Sequence, residues 1–117
     1  MTSYEYDAEL VRVIDGDTVV LKVDCGFRLT FEDSFRLYGI DTPELHGVSA
    51  EVREKALAAK AEVERLCGLG KLRIETYKPD KYGRWLATIF VRAGSAEINI
   101  NEKLVADGFA EEYMVKK

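Results

Sequence analysis

Arg36, Asp41, Thr42 and Glu44 fall within one short stretch, Phe35-Arg36-Leu37-Tyr38-Gly39-Ile40-Asp41-Thr42-Pro43-Glu44. The stretch begins as a strand, with Phe35, Leu37 and Gly39 on one face and Arg36, Tyr38 and Ile40 on the other. Pro43 ends it, because proline cannot donate to a sheet ladder and pushes Thr42 away from helical angles. Two carboxylates and a free carbonyl at such a strand-to-turn transition suit a hard, oxygen-seeking cation. An arginine beside an anionic metal site suggests a phosphate held between them. Taken alone, the same residues also read as ordinary turn formers.

Two further segments tip the balance toward chemistry. Upstream is Ile14-Asp15-Gly16-Asp17-Thr18, and downstream is Asp80-Lys81-Tyr82-Gly83-Arg84-Trp85. In this order and at this spacing, the three segments closely resemble the thermonuclease (staphylococcal or micrococcal nuclease) family. The resemblance runs from about Val11 to Ala110 and takes in Asn101-Glu102-Lys103-Leu104-Val105, Gly108 and Ala110. Each motif is a weak string by itself; three in register, with every charged position filled, are specific.

The resemblance implies a role for each residue. Asp17, Asp41 and the backbone carbonyl of Thr42 would bind one Ca²⁺, with waters completing the shell. Glu44 would orient or deprotonate the attacking water. Arg36 and Arg84 would clamp the phosphate and offset transition-state charge. Lys81 and Tyr82 match positions that contact a neighbouring phosphate. The family stacks a base on tyrosines after its second helix; here that region reads Glu111-Glu112-Tyr113-Met114-Val115, a poor match in which Tyr113 is the candidate. The implied reaction cuts DNA or RNA to a 3'-phosphate and a 5'-hydroxyl. Asp15 reads as a carboxylate of the turn, or one behind the metal ligands, rather than as a ligand.

The elements that must position these residues are legible as a pattern. Residues 8–14, 18–23, 27–40, 72–77 and 85–91 read as five strands, with a bulge expected at Glu32-Asp33-Ser34. Gly16 is expected to supply a backbone angle that other residues resist. Apolar residues at Val52, Ala56, Ala59, Val63, Leu66 and Cys67 predict a long helix over about 48–67, N-capped by Ser49 and ended by Gly68. Asn99, with Glu102 three residues on, predicts a short helix over about 100–107. Five strands with two helices against them fit a mainly β, five-stranded OB-fold barrel, α+β by content, and the resemblance implies the same. Trp85, Phe90 and Phe109 are expected in the core.

Composition bounds the rest. A chain of 117 residues, 47% hydrophobic and 32% charged, is one domain with a modest core. No apolar run is long enough to span a bilayer, and no signal peptide is visible, which leaves location open. A single histidine, His46, with two cysteines, Cys25 and Cys67, makes zinc improbable, and both thiols are expected to be unpaired. The net charge of −4 opposes generic nucleic-acid binding. Binding is therefore expected to be weak, salt-sensitive and focused on Arg36, Lys78, Lys81 and Arg84, in a monomer or weak homodimer. Compared with the family, the hairpin after Val23 is longer, the loop after Glu44 is shorter, and the usual further C-terminal helix has no counterpart before Lys117. The competing reading is a non-catalytic OB-fold that binds nucleic acid or protein, but such a module has no physical reason to keep Asp17, Arg36, Asp41, Glu44 and Arg84 together.

Overall fold

The computed structural model describes residues 4–77 and 79–113. Strand β1 (Tyr4–Asp15) turns back into β2 (Thr18–Asp24), which pairs antiparallel with β3 (Thr30–Leu37). After a two-residue strand, β4 (Ile40–Asp41), helix α1 (Ala50–Cys67) crosses to β5 (Leu72–Tyr77). Then come β6 (Trp85–Ala93), β7 (Ala96–Asn99), helix α2 (Ile100–Ala106) and β8 (Glu111–Glu112). The main sheet runs β3-β2-β1-β5-β6-β7, and a parallel pairing of β3 with β6 closes it. The result is a five-stranded mixed barrel carrying two helices, the OB-fold expected from the strand pattern. Closure rests on three register pairs, Phe35 with Trp85, Arg36 with Leu86 and Leu37 with Ala87.

The core follows from strand alternation. Val19, Leu21 and Val23 of β2, Leu72 and Ile74 of β5, and Ala87, Ile89 and Val91 of β6 all point into the barrel and are buried. Each of these Val, Leu and Ile side chains contributes about 1.5–3 kcal/mol by leaving water. Helix α1 adds Val63, Leu66 and Cys67, and α2 adds Ile100 and Leu104. Both expected caps form: Ser49 Oγ accepts from the Val52 N–H, and Asn99 Oδ1 accepts from the Glu102 N–H. Val52, expected on the apolar face of α1, is 36% exposed because only the later turns of the helix reach the barrel.

Several local expectations are corrected. The strand expected over 27–40 starts only at Thr30, because Gly26, Phe27 and Arg28 all take left-handed backbone angles at the hairpin tip. Its pairing with β2 is regular through Glu32-Asp33-Ser34, with no bulge there. The irregularities lie instead in β1, between Leu10 and Arg12 and between Val13 and Asp15. At the other end Gly39, at φ 78°, breaks the alternation and turns Ile40 into the core rather than onto the face of Arg36. Gly16 does not have a positive φ. Its constraint is space: a Cβ there would lie 2.9 Å from both Ala59 Cβ and Thr42 Oγ1. Trp85 is not core. It is 38% exposed at the barrel's mouth, its indole N–H donating to Asp33 Oδ2 at 3.1 Å. Phe90 and Phe109 are half-buried.

Candidate active site

Four separate pieces of chain bring the candidate residues to one cavity of about 350 Å³ on the outer side of the closing strands. The β1–β2 turn supplies Asp15 and Asp17, the end of β3 supplies Arg36, β4 and the loop after it supply Asp41, Thr42 and Glu44, and the loop before β6 supplies Arg84. His46 lies on the same wall. Helix α1 sets the first piece, since the small side chain of Ala59 lets Gly16 approach closely. The backbone then ties the turn to β3: the Leu37 N–H donates to the Asp17 carbonyl at 2.8 Å.

Arg36 is the centre of the charge arrangement. Its side chain is 12% exposed; Nη2 donates to Asp41 Oδ1 at 3.0 Å, Nη1 donates to the Ile40 carbonyl at 3.1 Å and stands 3.6 Å from Asp17 Oδ2. Asp17 Oδ2 also accepts the Thr42 N–H at 3.2 Å, and its Oδ1 accepts the Thr18 hydroxyl at 3.2 Å. Burial pushes the Asp17 carboxyl up, but hydrogen bonding with Asp15, the charge of Arg36 and the Thr42 and Thr18 donors outweigh it and hold the group below the ordinary carboxylate range. Asp15 takes the opposite course. Burial, then the hydrogen bond with and the charge of Asp17, push its carboxyl up to about 6. Asp41 is also raised, chiefly by burial, with Arg36 opposing and Asp17 adding to the rise.

Arg84 is held from a different side. Asp80 caps its own turn by accepting the Tyr82 and Arg84 backbone N–H groups at 2.9 and 3.0 Å, and its second oxygen accepts Arg84 Nε at 2.8 Å. Burial opposes the charged form of Asp80, but those donors and the guanidinium together outweigh it and hold its carboxyl low. Sequence reading missed this positioning role, although the Asp-x-x-Gly turn pattern, with Gly83 at φ 77°, was visible. Lys81 and Tyr82 share the loop but stand outside the cavity, exposed, with Lys81 and Arg84 both over the Tyr82 ring at 5.2 and 5.3 Å. Tyr113 lines a neighbouring hollow, its ring 5.7 Å from the Arg36 guanidinium carbon. Lys78, Met114 and Val115 lie outside the described residues.

The donor set can be tested against a hard dication. Asp17 and Asp41 converge on the same guanidinium, Asp17 is held ionised, and the buried Thr42 Oγ1 beside them has no hydrogen-bond partner among the described residues. Among the described residues no cluster of three or more His, Cys, Asp or Glu side chains is arranged as a metal cage. Two carboxylates therefore fit a cation whose shell stays largely open to water and phosphate, not a closed structural site. The cysteines do not contribute: Cys25 and Cys67 are both free, and burial pushes the Cys67 thiol up to about 12.

Residues 34–117 match the family of staphylococcal nuclease homologues. The chain belongs to it. The matched residues include Arg36, Asp41, Thr42, Glu44 and Arg84. The chain is 32% identical to an uncharacterised protein of Methanocaldococcus jannaschii over 97% of its own length and 62% of the relative's. It is 32% identical to the thermonuclease of Staphylococcus hyicus, covering 91% of this chain and 59% of that one. It is 33% identical to a prophage-derived endonuclease of Bacillus subtilis, covering 89% and 33%. The chain thus spans less than two thirds of the length of these curated relatives.

Proposed function

We propose that this chain is a Ca²⁺-dependent nuclease domain that hydrolyses the phosphodiester backbone of DNA and RNA, leaving a 3'-phosphate and a 5'-hydroxyl. The observation that carries the reading is the convergence of Asp17, Arg36, Asp41, Thr42, Glu44 and Arg84, from distant parts of the chain, on one small polar cavity. The family relationship to thermonucleases supports it.

Asp17, Asp41 and the Thr42 carbonyl would hold Ca²⁺, which when bound supplies a positive charge that polarises the phosphoryl oxygens. Glu44, exposed on the rim of the same cavity, would position a water and take its proton as the water oxygen bonds to phosphorus. The bond from phosphorus to the 5'-oxygen breaks in the same displacement, and solvent protonates the departing alkoxide. Arg36 from the end of β3 and Arg84 from the loop before β6 would bind the equatorial oxygens as their charge grows, a task for planar forks in fixed positions. Their present partners, Asp41 and Asp80, keep both guanidinium groups aimed before substrate arrives. Lys81, Tyr82 and Tyr113 would contact the strand beyond the cleaved bond.

The test is cleavage of heat-denatured DNA in Ca²⁺, in Ca²⁺ with excess chelator, and by Glu44→Ala. We expect chelator-sensitive cutting, 3'-phosphate ends, and a loss of about 10²–10⁴-fold in the variant. A chain that binds the strand and cuts it under no divalent ion would instead be a binding module.

A further inference from the structure

Among the described residues, the barrel has an open end that the proposed chemistry does not use. Strand β3 closes onto β6 only at residues 35–37, while residues 30–34 pair with β2 alone among the described residues. Beyond the last closing pair, Phe35 with Trp85, the sheet opens into a hollow of about 500 Å³. Its walls are mostly aromatic: Tyr4, Tyr6, Phe31, Phe35, Tyr77 and Trp85. The volume is in the range of small-ligand sites. The rings are held, not loose. Phe31 stands edge-on to Trp85 at 5.9 Å and to Phe35 at 6.4 Å, and Asp33 fixes the indole through its N–H. Even so, Phe31 and Trp85 remain 40% and 38% exposed.

The hollow and the acidic cavity share the closing strands. Phe35 and Trp85 face the hollow, while their immediate neighbours Arg36 and Arg84 face the cavity. Consecutive strand residues point to opposite sides, so at Phe35 and Arg36 of β3 the hollow and the cavity lie on the two faces of one strand. Charge separates what each can take. The arginines suit phosphate; the hollow, with Asp33 already committed to the indole, offers rings and hydroxyls, which suit a neutral planar group.

We propose that this hollow is a base-accepting subsite, in which an unstacked nucleobase next to the phosphate at Arg36 and Arg84 packs against Trp85 and Phe31. The inference rests on the nuclease reading and adds a contact to the strand besides that of Tyr113. It also gives the lengthened hairpin a role, since Phe31 sits on it.

Trp85 is the chain's only tryptophan, so its emission reports on the site directly. A short non-hydrolysable thymidine oligonucleotide is titrated against the protein, beside an abasic strand of equal length and charge. We expect the thymidine strand to quench Trp85 and to bind about tenfold more tightly than the abasic one, since stacking of one base is worth about that factor. Phe31→Leu, which keeps apolar bulk but removes the ring, should erase that difference and leave abasic binding as it was. Equal binding of both strands with unchanged emission would overturn the subsite while leaving the nuclease reading in place. If neither strand binds, both readings fail. If Trp85 emission instead shifts with protein concentration alone, a second copy fills the hollow and the proposal is wrong.

Discussion

The guanidinium of Arg36 must serve two masters with one set of donors. In the structure it neutralises Asp17 and Asp41, and in the proposed reaction it would also reach a phosphate. Lysine would keep the charge but not the fork, so Arg36→Lys should lower kcat by about 10²-fold and leave the fold intact by circular dichroism. Asp15 gives a pH prediction with a definite sign. Its carboxyl is raised from 3.8 to about 6, so the folded chain keeps a proton that the unfolded chain gives up near pH 4. That stabilisation is complete below about pH 4 and is lost as pH rises through 6. In chelator, the melting temperature of the native chain should therefore fall between pH 4 and 6 relative to Asp15→Asn; parallel profiles would refute the shift. None of this was readable from residue types. Asp15 and Asp17 are the same acid two positions apart, and burial raises both. The hydrogen bond between them, the charge of Arg36 and the Thr42 and Thr18 donors bring Asp17 down while Asp15 stays up.

At the level of elements, a single buried amide joins three of them. Asn101, 4% exposed in α2, accepts the Ile89 N–H and donates to the Ala87 and Tyr38 carbonyls. It thereby pins α2 to β6 and to the turn between β3 and β4 that aims Asp41. Asn101→Ala would orphan these backbone groups, and we expect a loss of about 2–3 kcal/mol in urea unfolding. Gly16 is the second joint. Gly16→Ala would push against Thr42 and Ala59, costing about 1–3 kcal/mol through overpacking. Because Thr42 donates to Asp17, weaker Ca²⁺ binding should accompany the lost stability. The sequence marked both positions, Asn101 within a family segment and Gly16 within a turn. The reasons lay elsewhere: for Gly16 it was a helix some forty residues away (Ala59) that left no room for a methyl group.

Across the whole molecule, a net charge of −4 is tolerable for a strand-cutting domain if the acids are gathered where a cation sits. Ca²⁺ should then act as a folding ligand: at about a hundredfold excess over its dissociation constant, it should raise unfolding stability by about 2.7 kcal/mol. Asp17→Ala should abolish that gain, as followed by thermal melts with and without chelator.

The sequence by itself determined the family, the five barrel strands and both helices with their caps, and it singled out Asp17, Arg36, Asp41, Thr42, Glu44 and Arg84, which the fold gathers at one cavity. It could do so because strand alternation, capping and motif order are local signals, written in neighbouring residues. What only the tertiary structure decided was contact between distant pieces of chain. The β3–β6 closure brought Arg36 and Arg84 to one cavity and left Trp85 partly exposed rather than in the core. The turn at Gly39 sent Ile40 inward, and Asp80 fixed the direction of Arg84. Those outcomes depend on which surfaces meet, on the space left between them and on the field in which each carboxyl sits, and no stretch of sequence carries that information alone.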